Sequence, residues 1–299
     1  MIWLVPPQHL TLDIETMAGD PCEAEAALRR SFSPSPSWKP ATIGERYLQA
    51  LADKQAKLAL LDTAPILSVA LRTESDCRLL HWMPLDDDHV SGVPLERFQD
   101  ERAMLARAAE YLAILGPESV LVGHNLRHFD LPRLRLAMVR QRITLPPCLA
   151  CIDHPTYDTM TLWRYFTLEE RPFVSLDQCL ELAGLASHKS VISGQDVGRL
   201  IDSQQWRTIA AYAIADVLAQ DMLYLVMTGQ IAAPDPPPEA ATLQPAASAG
   251  AAQSQPVEPH VVDDTATTDQ EQEAIGRSIA ALLIKYGITT TTKTAESQA

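Results

Sequence analysis

The sequence predicts an α/β fold in which helices flank a mixed sheet, and three observations carry that prediction. An alternating, β-favouring stretch, Gln8–Glu15, opens the chain. Two further β-favouring runs, Pro65–Leu71 and Arg78–Met83, sit close enough to form a hairpin. Beyond Glu101, stretches of helical period alternate with short apolar runs. A β-meander followed by such an alternation calls for antiparallel and parallel neighbours in the same sheet.

Each element has a local reason. Gln8–Glu15 alternates along its length, as a strand with two distinct faces does. Ser33-Pro34-Ser35-Pro36-Ser37 breaks any regular structure and reads as a loop. From Ile43 to Leu61 apolar residues recur at helical spacing (Ile43, Tyr47, Leu48, Leu51, Leu58, Leu61), which predicts an amphipathic helix. Pro65–Leu71 is a buried strand with Arg78–Met83 as its partner. Glu101–Leu115 is a helix stopped by Gly116-Pro117, and Ser119–Gly123 a short apolar strand. Asp130–Arg142 is a helix that tolerates Pro132 in its first turn. Ser175–Ala183 and Trp206–Met227 are further helices, the second ended by Gly229.

Composition sets outer limits. The chain has 299 residues, 46% of them hydrophobic, enough to fill the core of one sizeable domain with extra segments. No run of about 18 apolar residues occurs, so neither a membrane span nor a membrane partner is expected. Met1–Pro7 is apolar but has no basic leader and no small-residue cleavage site, unlike a signal peptide. Five irregularly spaced cysteines suit reduced thiols and a cytoplasmic compartment. Cys148-x-x-Cys151 with His154 beyond has the form of half a zinc site, but no second pair follows at a zinc-like spacing. Buried free thiols are the better reading.

The formal net charge is −14, with 9 acids and 3 bases in residues 231–299 and 29 acids and 21 bases in 1–230. A tight, sequence-independent nucleic-acid binder carries the opposite sign. One basic stretch does exist, Arg127, Arg133, Arg135, Arg140 and Arg142. It either lines a groove for a phosphate backbone or forms a solvated helix face.

Residues 1–230 are expected to be the folded domain. Composition changes after Gly229, and residues 231–267 read as a Pro/Ala-rich, disordered linker. Over 268–288 an amphipathic helix is expected: Thr268-Asp269-Gln270-Glu271 fits a capping box, Ile275, Ile279, Leu282, Leu283 and Tyr286 form one stripe, and Gly287 ends it. A helix of that length cannot bury its stripe alone. It either folds back on the domain or binds a protein partner. Residues 289–299 read as a disordered tail.

Three blocks carry chemistry. In Leu12-Asp13-Ile14-Glu15-Thr16, strand geometry puts Asp13 and Glu15 on one face and Leu12 and Ile14 on the other. Two adjacent acids repel unless a cation lies between them. A pair of metals about 3.5–4 Å apart, bridged by carboxylates, is the recurring solution for in-line phosphoryl displacement. The second block, Gly123-His124-Asn125-Leu126-Arg127-His128-Phe129-Asp130, is a strand end, a turn, and an acid opening a helix. Asp130 read alone is equally a helix N-cap. Asn125 can bridge backbone segments or reach a nucleotide. In the third block, Tyr212 and Asp216 stand four apart on a helix and share a face, so a phenol lies beside a carboxylate where it can hydrogen-bond an attacking water. Asp221 is a poorer anchor, because Asp216 and Val217 occupy the positions five and four before it.

In order and spacing, these blocks resemble the DEDD superfamily of 3′→5′ exonucleases in its tyrosine branch. The histidine branch has its histidine five before the last aspartate, where this chain has Ala211. The likeness covers roughly residues 8–228. Trp38-Lys39-Pro40 with the helix after it, and then Ala64–Ala70, look like an insertion found in predicted exonucleases related to the exonuclease domain of family B DNA polymerases. Gly123-x-Asn125-x-x-x-Phe129-Asp130-x-Pro132-x-Leu134 resembles that group's second motif. Asp158, Ser175-Leu176-Asp177, Ser193-Gly194-x-Asp196-Val197 and Tyr212-x-x-x-Asp216-Val217 look like its C-terminal half.

The resemblance implies a ribonuclease-H-like fold and two Mg²⁺ or Mn²⁺ ions. It implies Asp13, Glu15, Asp130 and Asp216 as metal ligands and catalytic residues, Tyr212 as the residue that orients water, and Thr16 and Met17 near the terminal nucleotide. With Asn125 and Phe129 these last two are the expected nucleic-acid contacts. The implied activity is hydrolysis at the 3′ end of single-stranded DNA, releasing nucleoside 5′-monophosphates. Two other readings stay open: an RNA-trimming exonuclease of the same fold, and an inactive nuclease fold that serves as an adaptor.

Overall fold

A computed structural model describes residues 6–55, 57–60, 62–167, 173–185 and 196–231. Apart from Ile231, the expected linker, the helix over 268–288 and the tail lie outside these residues, as do Met1–Val5 and Ser193-Gly194.

The chain runs β1 (His9–Thr16), α1 (Pro21–Ser31), α2 (Pro40–Gln55), β2 (Ile66–Arg72), β3 (Cys77–His81), β4 (His89–Val90) and β5 (Val93–Arg97). It continues α3 (Glu101–Leu112), β6 (Val120–Gly123), α4 (Asp130–Arg140), α5 (Pro147–Ala150), β7 (Thr156–Asp158), α6 (Thr159–Trp163), α7 (Leu176–Leu182), α8 (Val197–Asp202) and α9 (Trp206–Met227). The strand order is β4-β5-β3-β2-β1-β6-β7. The β1–β2 and β2–β3 pairs are antiparallel, while β1–β6 and β6–β7 are parallel. This is the expected mixed α/β architecture, of ribonuclease-H-like type, with β1 near the middle of the sheet.

The period of two in β1 divides the molecule. Leu10, Leu12 and Ile14 enter a core made with α3 and α4, where Met104, Leu105, Leu112, Leu131 and Leu134 meet them. His9, Thr11, Asp13 and Glu15 face the other way, under α9. Every residue of α9 from Thr208 to Tyr224 is buried. Among the described residues α9 is the one helix long and apolar enough to cross a bilayer, but 89% of its apolar window is buried inside the fold. It is the core helix.

Between β1 and β2 lies a pair of helices. The first, α1, was not expected, although Asp20 caps it by accepting from the Cys22 N–H at 2.8 Å and Pro21 occupies its first turn. The second departs from expectation in two ways. It ends at Gln55, and Leu58–Leu60 forms a separate 3-10 turn. Its apolar stripe is also not fully buried: no residue of α2 is, and Leu48 is 66% exposed. The reason is position. α2 packs on α1, with the Phe32 and Tyr47 rings edge to face at 5.2 Å, and not on the sheet.

Candidate active site

In α9, which is otherwise apolar except for Arg207 and Asp221, polar residues recur every four positions: Thr208, Tyr212, Asp216, Gln220 and Tyr224. Each shares a face with the next, and together they form a stripe that winds slowly around the helix. That stripe meets the polar face of β1, and the two run in opposite directions. Tyr224 packs on His9 with ring centroids 4.9 Å apart. The Gln220 amide donates to Asp13 Oδ1 at 2.7 Å. Asp216 meets Asp13 and Glu15, and one oxygen of each of the three lies within 4.8 Å of the others.

This trio is the one group of potential metal ligands found among the described residues. Glu15 and Asp216 are buried and Asp13 is half-buried. At that spacing two unit charges repel by roughly 3 kcal/mol even at an effective dielectric of ~20. Oxygen-only donors crowded in this way suit a hard divalent cation such as Mg²⁺ or Mn²⁺. Tyr212 hydrogen-bonds Asp216. Burial first, then the charges of Asp216, Glu15 and Asp13, push its phenol far above the ordinary tyrosine range. In the metal-free fold it therefore keeps its proton and gives it to Asp216, which leaves the phenol oxygen as an acceptor.

Asp130, the fourth expected ligand, stands one step back and is not part of the trio. It is 3% exposed and accepts from the Ile14 N–H at 3.3 Å. Burial, followed by the charge of Asp13, raises its carboxyl well above the ordinary value of 3.8. It is thus near enough to feel Asp13, and it has an uptake of positive charge to gain from. It opens α4 but does not cap it in the usual way, because the N-cap residue is Phe129 and makes no side-chain cap bond.

The turn before Asp130 is built to bring α4 against β1. A Cβ at Gly123 would sit 3.2 Å from the Leu12 carbonyl oxygen and 3.1 Å from Leu126 Cβ, so any larger residue would have to push Leu126 and the β1 backbone away. Asn125 takes a left-handed backbone, φ 65°, which asparagine tolerates better than most residues. Asp158 fixes the turn by accepting from the Asn125 N–H at 3.2 Å and the Arg127 N–H at 2.9 Å, and also caps α6 through Thr161 N–H.

Two residues with no role assigned from sequence turn out to connect the site. Gln220 is held between Asp13 and the His124 N–H, which donates to its Oε1 at 3.1 Å. The His124 ring in turn bonds Thr159 Oγ1 at 3.0 Å and the Val174 carbonyl at 2.8 Å. The four-residue repeat in α9 was the sequence signal that points to Gln220. Nothing in the sequence distinguishes His124. Gln220→Ala is expected to leave the fold intact and weaken Mn²⁺ binding about 10–100-fold, the usual cost of losing a partner that orients a metal ligand. Calorimetric titration with Mn²⁺ measures this, and unchanged affinity would remove Gln220 from the site.

Of the residues expected to touch nucleic acid, Thr16 and Met17 directly follow Glu15, and Asn125 and Phe129 lie in the turn before Asp130. Thr16 is nearly buried and its hydroxyl donates to the Ala59 carbonyl at 3.0 Å. Met17 donates its N–H to the Pro65 carbonyl and packs partly buried beside α9. Asn125 and Phe129 are half-buried, and the Arg133 guanidinium covers the Phe129 ring at 5.1 Å. The arginine stretch is mostly committed within the fold. Arg127 bonds Thr156, Arg135 bonds the Leu149 carbonyl, and Arg140 bonds the Asp62 carbonyl.

No protein-family model matches this sequence, and no curated protein matches it. The thiols are free. Cys148 and Cys179 are buried, while Cys22 and Cys151 are exposed. Cys148 donates to the Leu112 carbonyl and joins no ligand cluster with Cys151 and His154.

Proposed function

We propose that the protein is a metal-dependent 3′→5′ exonuclease of the DEDD superfamily, tyrosine branch, acting on the 3′ ends of single-stranded DNA. The observation that carries this reading is the convergence of Asp13, Glu15 and Asp216, from strand and helix some 200 residues apart in sequence, with the Tyr212 hydroxyl bonded to Asp216. An adaptor has no need to keep acids crowded at that cost.

In this reading Asp13, Glu15 and Asp216, with Asp130 behind them, hold Mg²⁺ or Mn²⁺. Two such ions supply the positive charge that lowers the pKa of water and offsets negative charge on the phosphoryl oxygens. Gln220 fixes the rotamer of Asp13. With its proton given to Asp216, the Tyr212 oxygen accepts a hydrogen bond from the attacking water and keeps it aligned. The products are nucleoside 5′-monophosphates. The free thiols favour a reducing compartment such as the cytoplasm.

The test is a 5′-labelled single-stranded DNA oligonucleotide beside a matched RNA, with Mg²⁺ or Mn²⁺. The expected result is a metal-dependent ladder shortening from the 3′ end, faster on DNA. Tyr212→Phe should lower kcat on the order of a hundredfold with little change in KM, as expected for loss of one aligned hydrogen-bonding group. Preference for the RNA would move the reading to an RNA-trimming enzyme. Absence of a ladder with either metal would end the exonuclease reading.

A further inference from the structure

The arginines that follow the second motif are largely spent on internal bonds, and the net charge is −14. The net charge disfavours a grip that rests on phosphate neutralisation alone. The protein also offers aromatic surface. Among the described residues, the exposed large aromatic side chains are Tyr165 (83%), Phe166 (58%) and Phe173 (62%). All three come from the stretch between α6 and α7.

Resting on the exonuclease reading, we infer that Tyr165, Phe166 and Phe173 form a base-stacking surface for the single strand behind its 3′ end. Stacking on aromatic faces is how proteins hold single strands without reading their sequence. The surface is rigidly backed. Phe166 lies on the buried Trp163 ring, with centroids 5.9 Å apart and planes 22° from parallel. Tyr165 and Phe166 stand on a hydrogen-bonded turn, their N–H groups donating to the Leu162 and Trp163 carbonyls. Trp163 and Val174 share one core cluster.

The surface is also tied to the trio. The Val174 carbonyl, next to Phe173, accepts from His124. The His124 N–H reaches Gln220, and Gln220 reaches Asp13. Phe173 is thus connected to a candidate metal ligand through two side chains. Asp177 and Glu181 on α7 oppose a phosphate-tracking groove at this place, which leaves the ring faces to bind bases.

The experiment measures anisotropy of a 5′-fluorescein-labelled oligothymidylate with Mg²⁺, using full-length protein in an Asp216→Asn background. Replacing all three aromatics by alanine is expected to weaken binding tenfold or more, about one stacked base's worth. A Phe166→Trp, Phe173→Trp double variant should bind as the parent does. With Asp216 restored, the alanine variant should cleave a dinucleotide normally and a longer strand with raised KM. The single Phe173→Ala variant leaves the Phe166–Trp163 stack in place and decides the matter if the triple variant folds poorly. Unchanged affinity overturns the inference. So does a change in sedimentation without a change in affinity, which would assign the surface to a second copy of the chain. Weakened binding by a protein that hydrolyses nothing would keep the surface and remove the exonuclease reading.

Discussion

Asp216→Asn is expected to abolish hydrolysis and, without divalent cations, to raise the melting temperature. The two effects share one cause. Asp216 lies with Asp13 and Glu15 inside 4.8 Å, where charge repulsion opposes folding. Asparagine keeps an oxygen for the Tyr212 hydroxyl and removes one charge. Relief of even ~1 kcal/mol raises the midpoint by about 2–4 °C for a domain of this size. Activity should fall by on the order of a thousandfold or more, since charge stabilisation by a bound ion is worth several kcal/mol. Adding Mn²⁺ should stabilise the wild type and leave the variant nearly unchanged, because only a site that binds in the folded state shifts the transition.

Proton linkage gives a second readout. Asp130 has a raised carboxyl pKa in the metal-free fold, so it is partly protonated at pH values where an ordinary aspartate is not. Bound cation favours its charged form. Apparent Mn²⁺ affinity of the wild type should therefore rise with pH above the ordinary aspartate value of 3.8, with proton release on binding. In the metal-free protein the sign is opposite: the stability contribution of Asp130 is full below 3.8 and is lost as pH rises through its raised pKa. A lower melting temperature for metal-free Asp216→Asn, or retained activity, would refute the site.

Asp221→Ala is expected to cost about 3–5 kcal/mol of stability, the penalty for leaving a buried charge without its partner. Asp221, only 4% exposed, accepts from His9 Nε2 at 2.7 Å and Thr11 Oγ1 at 2.8 Å, and lies 3.4 Å from Arg72 Nε. Arg72 is itself 8% exposed and would lose this counter-charge. Since a domain has only about 5–15 kcal/mol in total, a large part of the margin goes. Urea unfolding should show a lower midpoint with an unchanged slope. Asp221→Asn, which can still accept from Thr11, should lose less. A variant as stable as the wild type would mean that Arg72 finds water or another acid.

The central parts of the fold were legible because their signals are local. Alternation in β1 and the apolar length of α9 each follow from a few neighbouring residues, whereas α3 stops at Leu112, a turn before the expected end at Leu115. β7, with three residues, and β4, with two, are too short to have a period, and their existence depends on strands already in place. The helix α1 did announce itself through Asp20-Pro21, yet its apolar spacing is thin, with only Ala24 and Leu28 buried. The site was legible as residue types. Asp13, Glu15 and Asp216 do converge, but the position of Asp130 behind them depends on how closely the Gly123 turn lets α4 approach. Gln220 was hidden because a glutamine in a helix is ordinary until its neighbours one turn away are seen to be polar in an apolar helix.

The meeting of β1 with α9 also dictates an order of assembly. Residues 9–16 and 206–227 hold the acid trio and the His9–Asp221 and Thr11–Asp221 bonds, and neither half of that contact exists without the other. A chain still being synthesised can pair β1 with β2 and β3 early, since those strands are close in sequence. It then presents an acidic, half-apolar sheet face with no cover until α9 emerges. Closure over so long a span is slow relative to local pairing. Fragments that stop before Trp206 should thus be protease-sensitive, and a 206–231 peptide supplied in trans is the natural candidate to protect them.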